Sequence, residues 1–166
     1  MELPGAPVLA EEINLQVYDT ESCTANHSRL TEVGRGTVDC RPMRQITDWS
    51  NHGEKLPRHA KWNHERVVLN ACLVNIRYNC KGDPRSNRFG HTVFCTKAQA
   101  LEAIIKDFLQ PINESNSKRL KAAVILGHNL GGDLDPLGKV LGFNGGEMWI
   151  AVAKIDSQKM AWELEY

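Results

Sequence analysis

The stretch that decides the fold is INLQVYDTE, residues 13–21, where an alternating run ends in Asp19, Thr20 and Glu21. Apolar side chains occupy every second position of the run, which is the pattern of a β-strand with one covered face. Two carboxylates therefore stand at the carboxyl end of a predicted strand. Side chains at such strand ends often bind ligands in α/β sheets, so this pair is a candidate functional site.

A second apolar run ends in a similar way. Residues 122–126 read AAVIL, an almost wholly apolar segment that predicts a central strand covered on both faces. The turn Gly127–Gly132 follows, and Asp133 stands where the apolar residues take up helical spacing. If the two strands end at the same edge of the sheet, Asp19, Glu21 and Asp133 meet in space.

Three carboxylates in one place need a positive charge among them. Clustered carboxylates repel one another and hold their protons unless a cation joins them. Oxygen ligands of this type suit Mg²⁺ or Mn²⁺, and two such ions clamp the attacking and leaving oxygens of a phosphodiester. The pattern therefore indicates a metal-dependent nuclease, and the alternative is three unrelated surface acids.

The segments between these motifs predict further strands and one well-marked helix. Leu30–Cys40 reads as an extended segment, and the turn-like Ser22–Arg29 before it suggests an antiparallel hairpin. Phe89–Cys95 reads as a short strand. Thr96 then has the features of an N-cap with Gln99 three residues on, a capping-box pattern. In the helix that follows, the apolar residues lie on one face: Ala98, Leu101, Ile104, Ile105, Phe108 and Leu109.

Five other segments are less well marked. Arg41–Lys61 is predicted to be a loop, and its basic residues form either a solvated insertion or a nucleic-acid-facing surface. Val67–Tyr78 is apolar enough for a strand or a buried helix, which periodicity alone does not decide. Asn113–Lys118 reads as a polar linker. Met148–Ile155 predicts a strand and Gln158–Tyr166 a helix, so the order of elements fits an α/β domain with a mixed sheet.

The composition supports one domain and gives it no general affinity for nucleic acid. The chain has 166 residues, 42% hydrophobic content and a formal net charge of zero. This length supports a single domain, predicted over residues 13–166 after a tail of residues 1–12. Because a basic excess is absent, any contact with nucleic acid relies on a local patch.

Five cysteines, an odd number without a C-x-x-C pair, argue against a disulfide framework and for reduced thiols. A zinc site from His64, Cys72 and Cys80 is a weaker hypothesis, because its spacing matches no standard pattern. The amino terminus lacks the features of a signal peptide, and no run is long enough to span a bilayer. The sequence therefore predicts an intracellular protein, cytoplasmic or nuclear, without membrane contact.

The spacing of these motifs resembles a known superfamily of nucleases. A strand that ends in Asp-x-Glu, followed much later by Gly-His-Asn-x-x-x-Asp at a strand-to-helix junction, is similar to the DEDD 3′–5′ exonucleases of the ribonuclease H-like superfamily. The closer resemblance is to a fungal branch, the ribonuclease H-like domain of the yeast Gfd-type proteins. Five segments carry it in collinear order: Val17–Glu21, Thr31–Gly34, Phe89–Thr92, Ile125–Leu134 and Ile155–Gln158.

The resemblance implies an α/β fold, a ribonuclease H-like mixed sheet flanked by helices, and it assigns roles to single residues. Asp19, Glu21 and Asp133 match the first three acids, so they are the implied catalytic residues and ligands of a two-metal site with Mg²⁺ or Mn²⁺. The implied substrate contacts are Thr20, His128 and Asn129. For the last two, capping of backbone groups is the alternative role.

The fourth acid of the superfamily has no match in this sequence. It is expected on a late helix, four or five residues after a histidine or tyrosine that acts as general base. Residues 159–166 contain neither histidine nor aspartate, and Glu163 and Glu165 are the acids left to substitute. The resemblance then implies a domain shortened at its carboxyl end, or one that receives the helix from another chain.

Two functions follow from these expectations. The first is a metal-dependent 3′–5′ exonuclease that acts on RNA or single-stranded DNA. The alternative is a catalytically incomplete module of the same fold that binds nucleic acid or protein. An absent last helix would leave apolar surface uncovered, so a homodimer through the carboxyl-terminal face, or reduced stability, is also expected.

Overall fold

A mixed six-stranded sheet forms the centre of the protein. The computed structural model describes residues 12–43, 45–46, 55–73, 90–113, 116–145, 148 and 150–164. The strands are β1 (Ile13–Cys23), β2 (Asn26–Asp39), β3 (Lys61–Val67), β4 (Thr92–Cys95), β5 (Pro111–Asn113), β6 (Asn116–Leu120), β7 (Ala122–Gly127) and β8 (Ala151–Asp156). The helices are α1 (Cys40–Met43), α2 (Lys97–Phe108), α3 (Leu130–Pro136), which continues as a π-helical turn over Leu137–Leu141, and α4 (Ser157–Glu163).

The order of the strands places β1 inside the sheet. The sheet runs β4–β3–β2–β1–β7–β8, and β5 and β6 form a separate two-stranded ribbon. β2 is antiparallel to both β1 and β3, whereas β7 is parallel to both β1 and β8, and β4 is parallel to β3. This mixed sheet flanked by helices confirms the predicted α/β fold class. It is consistent with a ribonuclease H-like domain.

Helix α2 begins and packs as its sequence predicts. The capping box at its start is confirmed: Gln99 N donates to Thr96 Oγ1 at 3.3 Å, and Thr96 N donates to Gln99 Oε1 at 2.9 Å. Near the end of the helix, Phe108 stacks on Tyr18 of β1 with ring centroids 6.1 Å apart. The helix therefore covers the face of the sheet on which Tyr18 lies.

The buried side of α2 also includes a charged residue that the apolar pattern does not predict. Asp107 is buried, whereas Ala98 and Leu109, expected on the covered face, are exposed. The reason is polar docking, since the backbone carbonyl of Asp107 accepts from Asn14 Nδ2 at 3.1 Å and from Gln16 Nε2 at 2.9 Å. The helix is thus held to β1 by hydrogen bonds as well as by apolar contact.

A buried ion cluster joins β2, β3 and α2. Arg35 of β2 donates from Nε to Glu65 of β3 at 2.9 Å and forms ion pairs with both Glu65 and Asp107. Its Nη1 also donates to the carbonyl of Ala103 at 3.2 Å. Because a buried charge is costly unless it is paired and hydrogen-bonded, this cluster fixes the three elements relative to one another.

The position of β3 differs from the sequence-based expectation. The apolar segment Val67–Tyr78 predicts a strand or a helix, but β3 ends at Val67 and a 3₁₀ turn follows over Val68–Asn70. Residues 74–78 lie outside the described residues. β3 reads KWNHERV, and its central polar side chains are held in ion pairs. It therefore lacks the alternation of apolar and polar residues from which a strand is predicted.

Two predicted connections are largely strands. The expected turn Ser22–Arg29 is mostly paired, because β1 and β2 extend into it and leave two residues between them. The expected linker Asn113–Lys118 forms the inner ends of the ribbon of β5 and β6, apart from residues 114–115, which the structure does not describe. Both segments are rich in polar residues, so in sequence they resemble loops.

The remaining expectations are met in part. The predicted loop Arg41–Lys61 contains the end of α1 and a 3₁₀ turn over Leu56–His59, and residues 44 and 47–54 lie outside the described chain. The strands expected over Phe89–Cys95 and Met148–Ile155 are the shorter β4 and β8, and the expected helix Gln158–Tyr166 is α4. The four described cysteines form no disulfide with one another, and none of the described helices is long and apolar enough to cross a membrane.

Replacing Arg35 by Met is expected to lower the free energy of unfolding by about 3–5 kcal/mol, because two buried carboxylates lose their counter-charge. Urea denaturation followed by circular dichroism measures this loss. The matched control is Arg119→Met, whose exposed side chain forms a long ion pair of 3.9 Å with Glu12, and it should change stability by no more than about 0.5 kcal/mol. Equal effects of the two substitutions would contradict a structural role of the cluster.

Candidate metal centre

Hydrogen bonds join the two acidic motifs. The side-chain Oδ1 of Asp133 accepts from the backbone N–H of Thr20 at 2.9 Å and from Thr20 Oγ1 at 3.2 Å. Thr20 Oγ1 also lies 3.3 Å from the carbonyl oxygen of Asp133. Since Thr20 stands between Asp19 and Glu21, Asp133 lies beside the segment of β1 that carries the two other acids.

The strand topology and the turn after β7 place Asp133 there. β7 pairs in parallel with β1, Val17 opposite Leu126, so both strands end at the same edge of the sheet. Asn129 then takes a left-handed conformation, with φ of 59°, and α3 begins. Asp156 at the end of β8 secures this turn by accepting from Asn129 N at 3.1 Å and from Leu130 N at 3.0 Å. Asp156 therefore acts as a structural residue of this turn.

The acids of this edge share an unfavourable electrostatic environment. Partial burial raises the pKa of Glu21, and the charges of Asp19, Glu32 and Asp133 raise it further. Burial also raises the pKa of Asp133, helped by the charges of Asp19 and Asp156, although the hydrogen bonds from Thr20 act in the opposite direction. A cation placed among these carboxylates would relieve the repulsion.

A cleft lies beside the acids on the side of β8. Its volume is about 500 Å³, and Asp19 and Asp133 line it together with His128 and Ser157. His128 Nδ1 lies 3.1 Å from Ser157 Oγ, so its ring is held by the start of α4. The hydroxyl of Thr20 is already bound to Asp133. The substrate-contact roles expected for Thr20, His128 and Asn129 stay predictions.

The three acids have the chemical groups that bind a divalent cation, but their side chains are not close enough together to form a complete site. Carboxylate oxygens are the donors that Mg²⁺ and Mn²⁺ prefer, and burial together with neighbouring acids raises the pKa of Glu21 and of Asp133, which a cation would reverse. Within the described parts of the chain, however, no three His, Cys, Asp or Glu side chains lie close enough to hold a metal ion. The assignment of Asp19, Glu21 and Asp133 as catalytic residues and ligands stays a prediction.

The structure shows a further carboxylate that the sequence does not assign to the site. Glu32 of β2 lies opposite Glu21 in the strand register. It is engaged, because His64 Nε2 lies 3.0 Å from its carboxylate and Arg66 pairs with it. The hydrogen bond with His64 and the charge of Arg66 lower the pKa of Glu32. The proximity of Glu32 to Glu21 is a result of the register between β1 and β2, which a single sequence does not reveal.

The two glutamates considered as substitutes for the fourth acid stay predictions. Glu163 lies exposed on α4 and lines a separate cavity of about 1070 Å³ between α3, β8 and α4. Glu165 lies outside the described residues. The described part of α4 therefore brings no additional acid into the cleft of Asp19 and Asp133.

A mixed sheet of this order, with acids at the end of β1 and at the start of α3, is consistent with a ribonuclease H-like domain. Comparison with protein families identifies it further. The family model DEDDh_C, DNA polymerase III subunit epsilon-like, C-terminal domain, matches residues 15–165, and the chain belongs to this family. Membership supports a 3′–5′ exonuclease-like function, and the family is generally dependent on divalent metal ions. A search of curated proteins gives no match.

Titration with Mg²⁺ or Mn²⁺ is expected to stabilise the protein, because a cation relieves the repulsion among the acids. At about 100 times its Kd, a bound ion should raise the melting temperature on the order of 5 °C, measured by differential scanning fluorimetry. Asp19→Asn and Asp133→Asn should lose this rise. The matched control is Asp135→Asn, two residues from Asp133, whose exposed carboxylate binds Lys139 at 2.8 Å. A rise kept in all three variants would place the ion elsewhere.

Proposed function

We propose that this protein is a divalent-metal-dependent 3′–5′ exonuclease that acts on RNA or single-stranded DNA. Asp19, Glu21 and Asp133 are the proposed ligands of Mg²⁺ or Mn²⁺. The observation that carries the proposal is the hydrogen bonding between Thr20 and Asp133, since it joins the second motif to the residue that separates the two acids of the first. Family membership supports the reaction class.

The residues of the chain would contribute mainly by position. When bound, the metal ions neutralise the developing charge on the phosphate and lower the pKa of a water molecule. Asp19 and Glu21 are two residues apart on β1 and therefore project to the same face of the sheet. The Thr20 hydrogen bonds hold Asp133 at the same end of β1. The adjoining cleft of about 500 Å³ is lined by Asp19 and Asp133 and also by His128 and Ser157.

A catalytically incomplete binding module of the same fold is the second candidate, for nucleic acid or for protein. The absence of a three-ligand cluster among the described residues favours it. A module of this kind would keep the cleft and lose turnover. The two candidate functions therefore differ in the expected cleavage activity and not in the expected binding.

Degradation of 5′-labelled single-stranded RNA and DNA, with Mg²⁺, Mn²⁺ or EDTA, tests the proposal directly. We expect metal-dependent shortening from the 3′ end, reduced by at least about 100-fold in Asp19→Asn and Asp133→Asn, as for the loss of a group that stabilises the transition state. Asp135→Asn should cleave at the wild-type rate. No cleavage by folded protein at either metal would reject the exonuclease and favour the binding module.

The expected homodimer is retained as a proposal. Apolar side chains of β8 and α4 face solvent, with Trp162 67% and Val152 61% exposed. Burying such side chains between two copies would remove apolar surface from water. Size-exclusion chromatography with light scattering should give a mass that rises with concentration and falls to the monomer in Trp162→Glu. A compact monomer at all concentrations would contradict the proposal.

Three finer expectations also remain proposals. The closer likeness to the fungal Gfd-type branch rests on the five collinear segments, and an alignment of homologues would test it. An intracellular location, cytoplasmic or nuclear, is tested by imaging a fluorescent fusion of the chain. The preference for Mg²⁺ or Mn²⁺, and for RNA or DNA, follows from relative rates in the degradation assay.

A further inference from the structure

The face of the sheet that carries Asp19 has a second cleft, on the side of β3. Asp19, Gly34 and His64 lie in one row across β1, β2 and β3, because Gly34 pairs with both of the others. In the next row, Gly36 pairs with Trp62. The two glycines form the floor between Asp19 and the side chains of β3. The cleft has a volume of about 230 Å³.

The far wall of this cleft is aromatic and fixed in position. The Trp62 side chain donates from Nε1 to the carbonyl of Pro57 at 2.8 Å, and its six-membered ring lies over Gly36. A Cβ at Gly36 would lie 2.5 Å from Trp62 Cζ3, so the glycine is needed for the ring to lie there. His64 completes the wall, with Nδ1 2.9 Å from Thr92 Oγ1 and Nε2 3.0 Å from Glu32.

Gly34 has no such packing requirement. A Cβ at this position would meet the carbonyl oxygen and Cβ of Asp19 at 3.6 and 3.7 Å, which are ordinary contacts. Gly34 also lacks the positive φ that would demand glycine. What its missing side chain provides is open space between Asp19 and the aromatic wall.

The charges around the cleft favour a flat, uncharged group over a phosphate. Asp19 on the near wall repels anions. Arg35 lines the cleft, but its guanidinium is bound by Glu65 and Asp107. Both ring nitrogens of His64 have partners. Recognition there depends on aromatic stacking, which suits any nucleobase because each has a π-face.

We propose that this cleft is a nucleobase subsite, in which a base of a single-stranded substrate stacks on Trp62 while its backbone leads toward Asp19. The inference rests on the proposed function, because it assumes that Asp19 belongs to the reaction centre. It defines the substrate class more closely: the strand is single-stranded at this base, and binding is insensitive to the identity of the base. Trp62 is then a positioning residue and makes no contact with the reacting atoms.

Binding of 5′-fluorescein-labelled oligothymidylate, measured by anisotropy in EDTA and again with Ca²⁺, tests the subsite. One series of oligonucleotides has a single abasic residue at each of the last four positions from the 3′ end. For the wild-type protein, one of these should bind about 5- to 100-fold more weakly than the intact strand, the range expected for loss of one stacked base. The Trp62→Ala variant should show the same loss of affinity for the intact strand. It should also bind the intact and the abasic strand with equal affinity.

Three variants separate stacking from a fold defect. Trp62→Phe retains a ring and should keep most of the affinity, whereas Gly34→Ala fills the floor without touching Trp62 and should weaken binding. The control is Leu69→Ala, whose side chain is 78% exposed beyond the end of β3 and which should bind as wild type. Each variant is compared by urea unfolding, and the abasic series on the wild-type protein needs no variant at all.

The outcomes distinguish this inference from the proposed function. Base-dependent binding that requires Trp62, without cleavage in any metal, would keep the subsite and reject the exonuclease. Cleavage with equal affinity for intact and abasic strands, or equal binding by Trp62→Ala and wild type, would reject the subsite alone. No measurable binding by folded protein in EDTA or with Ca²⁺ would overturn the subsite and point to an aromatic side chain of a protein partner instead.

Discussion

The buried guanidinium of Arg35 is the constraint on which the rest of the sheet depends. Removed from water, it is tolerated only because Glu65 of β3 and Asp107 of α2 surround it with opposite charge. These partners fix β3 and α2 relative to β2 at the same time. Because α2 occupies that face, the opposite face is left for Asp19 and the glycine floor of β2. A structural ion cluster thus determines which side of the sheet is available for chemistry.

The features that the sequence predicts are those that depend on local signals or on strand direction. The capping box at Thr96 and Gln99 is local, and it gives the start of α2 correctly. The meeting of Asp133 with β1 follows from a general property of parallel strands, which end at the same edge of a sheet. The ends of the chain's apolar runs therefore gave enough information to identify the acidic edge without knowledge of the full topology.

The features that the sequence does not predict depend on pairing across strands. β3 contains two buried charged residues, Glu65 and Arg66, which form ion pairs with residues of β2. Because these buried side chains are not apolar, the hydrophobic pattern of the sequence does not reveal that the strand is covered. The second cleft arises because Gly34 and Gly36 oppose His64 and Trp62, a match of registers between segments about thirty residues apart. Neither relation leaves a periodic signal in one sequence, since each is a property of two segments considered together.

The pairing of β1 with its two neighbours has a consequence for how the domain folds. β1 and β2 are joined by two residues, whereas Ile13 pairs with Ala122, 109 positions along the chain. Closing the longer loop costs more entropy, and such non-local pairing is slow. We therefore expect the hairpin of β1 and β2 to form early, with one edge of β1 unpaired and prone to aggregation. The pairing of β7 then covers this edge over residues 13–17, and α3, which follows β7, brings Asp133 to Thr20.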